Sequence, residues 1–466
     1  MMWEELASLA VEEALKLGAD YADARLEAKW AEVVTVENLE LKSYRSSHTK
    51  GIGIRVLVGG CWGFASTTIL EGSEVRDAAR RAFKIARALA GSARETKLAE
   101  VKAVERAFNS PVKEEPANVS PEEKLELLMD MNKRALSVEG VKNAGASLAS
   151  LREQIFFTSS EGARLSLSRS SIGILYSSTA SFSGRMERAW DSYSSCAGWE
   201  FVKERDWPSE AEGISNLALE AAKARSPPAG TYPAVLDGFL VGLLIHEAFG
   251  HATEGDIVLS GDSALRGKLG EQVASEHVSI IDEGIVEGGF YIPFDDEGTL
   301  KDRTVVVKNG ILKAFLTSRS VAAELGLSPT GNGRAQGFSY FPTVRQTNYY
   351  LAPGDQSLEE LMEGIDYGLF LMGRSRGGGQ VEPGMGNFTF RAGPSYVIRH
   401  GELSELVRGV AISGNVLETL KLVEGVGRDF QIRFSIFAGC GKYGQVVHVG
   451  LGGAPVRVKK VVVGGA

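Results

Sequence analysis

Apolar residues recur at helical spacing near the amino terminus (Leu6, Leu9, Ala10, Ala14, Leu17), and Gly18 follows as a stop. This pattern predicts a helix over about residues 3–17. From Tyr21 to Leu57 the period changes to two, with Ala24 and Leu26, Val34 and Val36, then Ile52, Ile54 and Val56 separated by polar residues. Such alternation predicts half-buried antiparallel strands. A second helix is expected after Ser73, with Val75, Ala79, Ala82, Phe83 and Ala86 on one face and Gly91 beyond its end.

The pattern then repeats. Residues 107–119 carry Pro111 and Pro116 among polar positions and read as a linker. Ser120-Pro121-Glu122-Glu123 combines a capping box with proline at the first helical position, so a helix is expected to about Leu136. Residues 144–201 read as a second meander of short strands, turning near Glu161-Gly162, and a helix through Leu217–Ala224 precedes a boundary at Ser226–Gly230. Ile52-Gly53-Ile54 has a counterpart in Ile172-Gly173-Ile174, a weak sign of duplication. Beyond residue 230 the chain is glycine-rich and strand-like, with a type I′ hairpin signal at Asn309-Gly310, another turn at His400-Gly401, and one helix near its start. The expected fold is α+β: two helix-plus-antiparallel-sheet units (residues 1–110 and 115–225), then a large, mainly antiparallel β-domain (residues 230–466).

Composition narrows the class. At 466 residues, 44% hydrophobic and 24% charged, the chain is globular rather than disordered. Its net charge of −8 offers no broad basic face, so no nucleic-acid partner is expected. Cys61, Cys196 and Cys440 are too few and too scattered for a disulfide framework, which suits a reducing compartment. The apolar run Gly238–Ile245 is far short of the roughly 20 residues that span a bilayer. A cytoplasmic protein with no membrane partner is expected.

The chemistry concentrates on that apolar run, where His246-Glu247-Ala248-Phe249-Gly250-His251 places two of six histidines around a glutamate. Histidines four apart, as in common zinc peptidases, lie about 40° apart around an α-helix; five apart gives about 140°. Both imidazoles reach one metal only if the helix widens or ends between them, and Gly250 makes either distortion inexpensive. The alternative is a pair of buried histidines hydrogen-bonded to nearby carbonyls, but the His-Glu-His grouping favours metal. A catalytic zinc takes three protein ligands and a water. Glu254, Asp256 and the distant Cys440 are all available for the third, and spacing does not choose among them. Arg334 and Tyr340 are candidates for stabilising an oxyanion.

Taken together, several segments resemble the TldD branch of the TldD/PmbA family of metallopeptidases, once described as modulators of DNA gyrase. They include Tyr21-Ala-Asp-Ala-Arg25, Gly51-Ile-Gly-Ile-Arg55, His246–Asp256, Asp295-Asp-Glu-Gly-Thr299, Gly331-Asn-Gly-Arg334, Gly384-Met-Gly-Asn-Phe388 and Ala438-Gly-Cys-Gly-Lys442. The resemblance implies one zinc per chain held by His246, His251 and Cys440, with Glu247 as catalytic base. It also implies small or unfolded peptide substrates and a dimer, either with a second copy or with a PmbA/TldE-like subunit whose zinc residues are missing. Ala335, after Gly-Asn-Gly-Arg, departs from some relatives. The rival reading is a non-catalytic binding or assembly subunit with a structural metal site, against which the retention of Glu247 argues.

Other features keep plain readings. Gly439-Cys-Gly-Lys-Tyr-Gly444 matches G-x-G-x-x-G but precedes a strand rather than opening a helix, so it is not read as a dinucleotide site. Asp295-Asp296-Glu297 lacks the alternating oxygen ligands of a calcium loop and is expected to be an acidic turn. Cys61 and Cys196 read as small core residues.

Overall fold

The computed structural model describes residues 3–91, 95–382 and 384–465. Helix α1 (Trp3–Lys16) leads into β1 (Tyr21–Glu37), β2 (Glu40–Val58), β3 (Cys61–Thr67) and α2 (Gly72–Leu89). After β4 (Glu105–Asn109) come α3 (Pro121–Leu136), β5 (Val141–Ser159), β6 (Arg164–Phe182), β7 (Arg185–Ser195), α4 (Glu200–Lys203) and α5 (Trp207–Lys223). The two meanders join through antiparallel pairing of β1 with β5, giving one sheet in the order β3-β2-β1-β5-β6-β4, with β7 also on β6. Where a linker was expected, β4 lies parallel to the start of β6. Phe108 in β4 is buried against Phe157, Leu165, Leu167 and Phe294, a non-local partnership that the neighbouring prolines hide. Ser120 caps α3 by accepting from Glu123 N at 3.1 Å. The reciprocal half of the expected box is replaced: the Glu123 carboxylate accepts from Trp199 Nε1 at 3.1 Å.

Period two in β1 proves to bury both faces rather than one. Ala22, Ala24 and Leu26 pack with Ile52, Ile54 and Val56 under α1 and α2. Val34 and Val36, of the same parity, join the core beneath α3 and α5. The opposite face carries Asp23, Arg25, Glu27 and Lys29, with Arg55 from β2, and it meets the carboxy-terminal region rather than water. Burial is tolerable because each charge is paired. Arg55 donates to both Asp23 oxygens and, at 2.8 Å, to Glu297 Oε1. Arg25 reaches Glu27 and Asp296, and Arg169 and Lys29 converge on Glu153. The expected acidic turn is therefore a docking turn, and Asp295 within it accepts from the amides of Glu297, Thr299 and Gly333. Burial, then the Glu297 charge, pushes the Asp295 carboxyl up to about 8. The repeated glycines have a purpose here: a Cβ on Gly53 would fall 2.0 Å from Phe338 O, and one on Gly173 within 2.8 Å of Ile436 Cγ2.

The carboxy-terminal region begins with β8 (Gly230–Leu236) and α6 (Gly238–Leu244). It forms a nine-stranded and a six-stranded sheet, mainly antiparallel, with parallel pairs 348–351 on 450–453 and 367–371 on 230–236. Asn309 and Gly310 both take positive φ in their hairpin, as do His400 and Gly401 in theirs. Instead of one helix the region also holds short ones at 255–260, 319–325, 358–362 and 416–421, each too brief for a clear helical period. The apolar core gathers residues of both sheets around α6, including Leu240, Val241, Leu244, Leu369 and Tyr349. No helix among the described residues is long and apolar enough to cross a membrane.

Two consequences of the charged layer are measurable. Arg55→Met should destabilise the protein by about 3–5 kcal/mol, because Asp23 and Glu297 lose their buried partner; a thermal midpoint matching the parent would contradict this. Although burial opposes ionisation, Arg169 and Lys29 hold Glu153 at about 2, below its ordinary 4.5. Its stabilisation is therefore present above pH 4.5 and is lost as pH falls towards 2. Glu153→Gln should flatten the acid limb of stability between those values, as followed by denaturation at stepped pH.

Candidate metal centre

Asp237 starts α6 by accepting from Leu240 N at 2.8 Å, and the same oxygen accepts from Gly373 N at 2.9 Å. Gly238 and Gly242 allow the helix to lie on the strand at 450–453: a Cβ on Gly242 would fall 2.4 Å from Gly452 N. After Leu244 the helix widens into a π-turn, Ile245–Gly250, and then tightens into a 3₁₀ turn, His251–Thr253. Bonding from i to i+5 stacks residues five apart, which brings His246 and His251 onto one side. Their rings lie 5.3 Å apart. Gly250 keeps ordinary right-handed backbone, with φ −61. Its role differs from the expected relief of distortion, since a Cβ there would strike Gln346 Oε1 at 2.3 Å.

Cys440 arrives on a small hairpin of strands 440–442 and 445–447, turned by Tyr443 and Gly444 at positive φ. Gly439 is needed for close approach to Val447, whereas a Cβ on Gly441 would meet nothing. The Cys440 Sγ lies 3.3 Å from His251 Nε2, and donor atoms of His246, His251 and Cys440 all fall within 4.8 Å of one another. All three residues are buried. Burial alone would push the thiol up, yet His246 and His251 bring it down to about 5, which favours the thiolate. The set fits a metal ion on its own chemistry. It offers two imidazoles and a thiolate, and the buried Nδ1 of His246 has no hydrogen-bond partner among the described residues.

Glu254 and Asp256 stand elsewhere. Glu254 Oε2 lies 3.0 Å from His251 Nδ1, the nitrogen facing away from the sulfur, and Oε1 accepts from Gln346 N at 3.2 Å. Burial opposes its charge, but His251 and Lys442 hold it at about 2. Lys442 donates at 2.8 Å to Glu254 and to both oxygens of Asp256, and at 2.9 Å to Val344 O. Buried Arg345 donates to Cys440 O and fixes the hairpin. Sequence reasoning gave neither residue a role, although Lys442 shares the Cys440 face of a strand by period two.

Glu247 follows His246 and keeps a third of its side chain exposed, with Oε2 3.9 Å from His251 Nε2. It lines a cavity of about 340 Å³ together with His246, Cys440, Phe239, Trp190 and Arg376. The cavity lies in the seam between β6 and β7 of the amino-terminal sheet and the carboxy-terminal region. Neither Arg334 nor Tyr340 lines it. The Arg334 guanidinium is committed to Gln346 O and His448 O, while Tyr340 borders a separate crevice with Asp23 and Arg25.

Comparison with known proteins agrees with this architecture. Family models of the PmbA/TldA metallopeptidases match throughout: domain 1 at residues 22–86, the central domain at 114–225 and the C-terminal domain at 229–465. A Methanothermobacter thermautotrophicus protein named "Metalloprotease" is 38% identical, over 96% of each chain. A "Zinc metalloprotease TldD homolog" of Saccharolobus solfataricus is 30% identical, covering 98% of this chain and 99% of its own. The crystal structure of TldE from Thermococcus kodakarensis shares the fold, with a TM-score of 0.73 over 99% of both chains at 19% identity. From domain 1 through the C-terminal domain, this chain belongs to the PmbA/TldD family of metallopeptidases.

Proposed function

We propose that the chain hydrolyses peptide bonds with one zinc ion, held by a ring nitrogen of His246, Nε2 of His251 and Sγ of Cys440, and with Glu247 as general base. The observation that carries this reading is the convergence of two imidazoles and a thiolate within 4.8 Å at the wall of a cavity that also displays a carboxylate. Zinc, when bound, lowers the pKa of water to about 7 and polarises a carbonyl. Glu254 takes the Nδ1–H of His251, which fixes the tautomer and leaves Nε2 for the metal. Lys442 balances the charge of Glu254 without touching the ligands. Glu247, partly exposed to the cavity, can accept a proton from the attacking water and pass it to the leaving amine.

The cavity, at about 340 Å³, takes a few residues of chain, so the substrates are small or unfolded peptides rather than folded domains. The chain works as a dimer in this reading, with a second copy or with a PmbA/TldE-like partner, and the shared fold with TldE favours the latter. Three unpaired cysteines suit the cytoplasm. The alternative, an assembly subunit with a structural metal, is less well supported. Structural zinc is closed by four protein ligands, whereas three donors converge here among the described residues, beside a partly exposed acid.

Two experiments test the assignments. Glu247→Gln should keep zinc at one per chain while kcat for a cleaved peptide falls by about 100-fold or more; near-parental turnover removes Glu247 from the role. Cys440→Ser should lose zinc outright in equilibrium dialysis. Glu254→Gln should weaken it by only about 10–100-fold, as expected for a partner of a ligand. The opposite order makes Glu254 the third ligand.

A further inference from the structure

Three arginines reach the cavity, and two are already paired. Arg374 Nε lies 2.9 Å from Asp191 Oδ2, with its Nη2 3.6 Å from Glu210. Arg433 donates to Asp191 Oδ1 at 3.1 Å and lies 3.9 Å from the ring centroids of both Tyr193 and Phe239. Arg376 differs: among the described residues its guanidinium makes no hydrogen bond or ion pair, and its nearest aromatic ring is Trp190 at 5.8 Å. Asp237, Asp191 and Glu247 act on that guanidinium only through their charge, with no hydrogen bond among the described residues, so its donors stay open to the cavity and suit a carboxylate.

Its backbone is fixed in advance. Ser375, at φ 59, donates to Trp190 O at 2.8 Å and accepts from Trp190 N at 2.9 Å, while Trp190 Nε1 donates to Arg376 O at 3.1 Å. Gly373 N shares Asp237 Oδ1 with the cap of α6, so the arginine loop and the helix leading to His246 and Glu247 hang from one carboxylate. Such preorganisation reduces the ordering cost of binding. Arg376 and Glu247 line the same cavity and feel one another's charge; a cavity of about 340 Å³ holds only a few residues of chain, so the contact falls within about three residues of the scissile bond.

We propose that Arg376 is a specificity residue that anchors a carboxylate of the peptide substrate, from an acidic side chain or from the chain terminus, within about three residues of the cleaved bond. This rests on the peptidase reading above. The test uses zinc-loaded protein and two peptide series: Asp or Glu against Asn or Gln near the cleaved bond, and free carboxyl termini against amides. The parent should prefer the charged member of one series by about 10–100-fold in kcat/KM, mainly through KM, and the responding series identifies the source of the carboxylate. In Arg376→Gln, checked for retained zinc, that ratio should collapse to about one, with part of it kept in Arg376→Lys. Binding of the same peptides to Glu247→Gln protein, with and without Arg376→Gln, separates the two claims. Cleavage with no charge preference, or a preference that survives Arg376→Gln, overturns the anchor and leaves the peptidase intact. A preference in binding that Arg376→Gln abolishes, with no peptide ever cleaved by the parent, keeps the anchor and overturns the peptidase.

Discussion

The buried ammonium of Lys442 closes the site. Cys440 lies 189 residues beyond His251 in the chain, and the hairpin carrying it is only three residues per strand. That hairpin stays in place because Lys442, two positions on and on the same face, is held by Glu254, Asp256 and Val344 O. Glu254 in turn orients His251. One network of charges therefore fixes both the imidazole and the sulfur. Its removal would leave buried Glu254 and half-buried Asp256 without their shared ammonium, and buried Glu254 would bear most of the cost.

The same logic works at larger scale between the amino-terminal sheet and the rest of the molecule. One face of β1 is apolar and lies under helices; the other is charged and lies under the turn at 295–297. Hydrophobic burial forms each half, and the paired charges set how the halves register, because an offset of one residue would part Glu297 from Arg55 and Asp296 from Arg25. The cavity occupies the seam so formed, with walls from both sides. Glycines at 53 and 173 allow close approach of Phe338 O and of the Ile436 side chain at other points along the seam.

Local signals in the sequence were read well, and non-local ones poorly. The helices at 3–16 and 72–89, the Ser120 cap and the hairpins at Asn309-Gly310 and His400-Gly401 follow from spacing and turn chemistry alone. The pairing of β1 with β5 and of β4 with β6 did not, because strand partners distant in sequence leave no mark on either segment. Asp23, Arg25 and Glu27 fall on the polar face of strands expected to be half-buried, since the turn at 295–297 that covers them lies hundreds of residues away. At the site, the five-residue histidine spacing demanded a distorted helix, and the π-turn supplies it. Spacing alone did not choose among Glu254, Asp256 and Cys440, and nearness in sequence favoured Glu254; only the family resemblance singled out the cysteine. Arg334 and Tyr340, suggested by type alone, turned out to be committed elsewhere.

The central claim is that two imidazoles and one thiolate hold a single zinc. X-ray absorption at the zinc edge of the fully loaded protein addresses it directly. One sulfur scatterer at about 2.3 Å and two imidazole nitrogens at about 2.0–2.1 Å are expected, with any further light scatterer arising from solvent. A shell of nitrogen and oxygen with no sulfur, or a spectrum of two or more sulfurs, would contradict it.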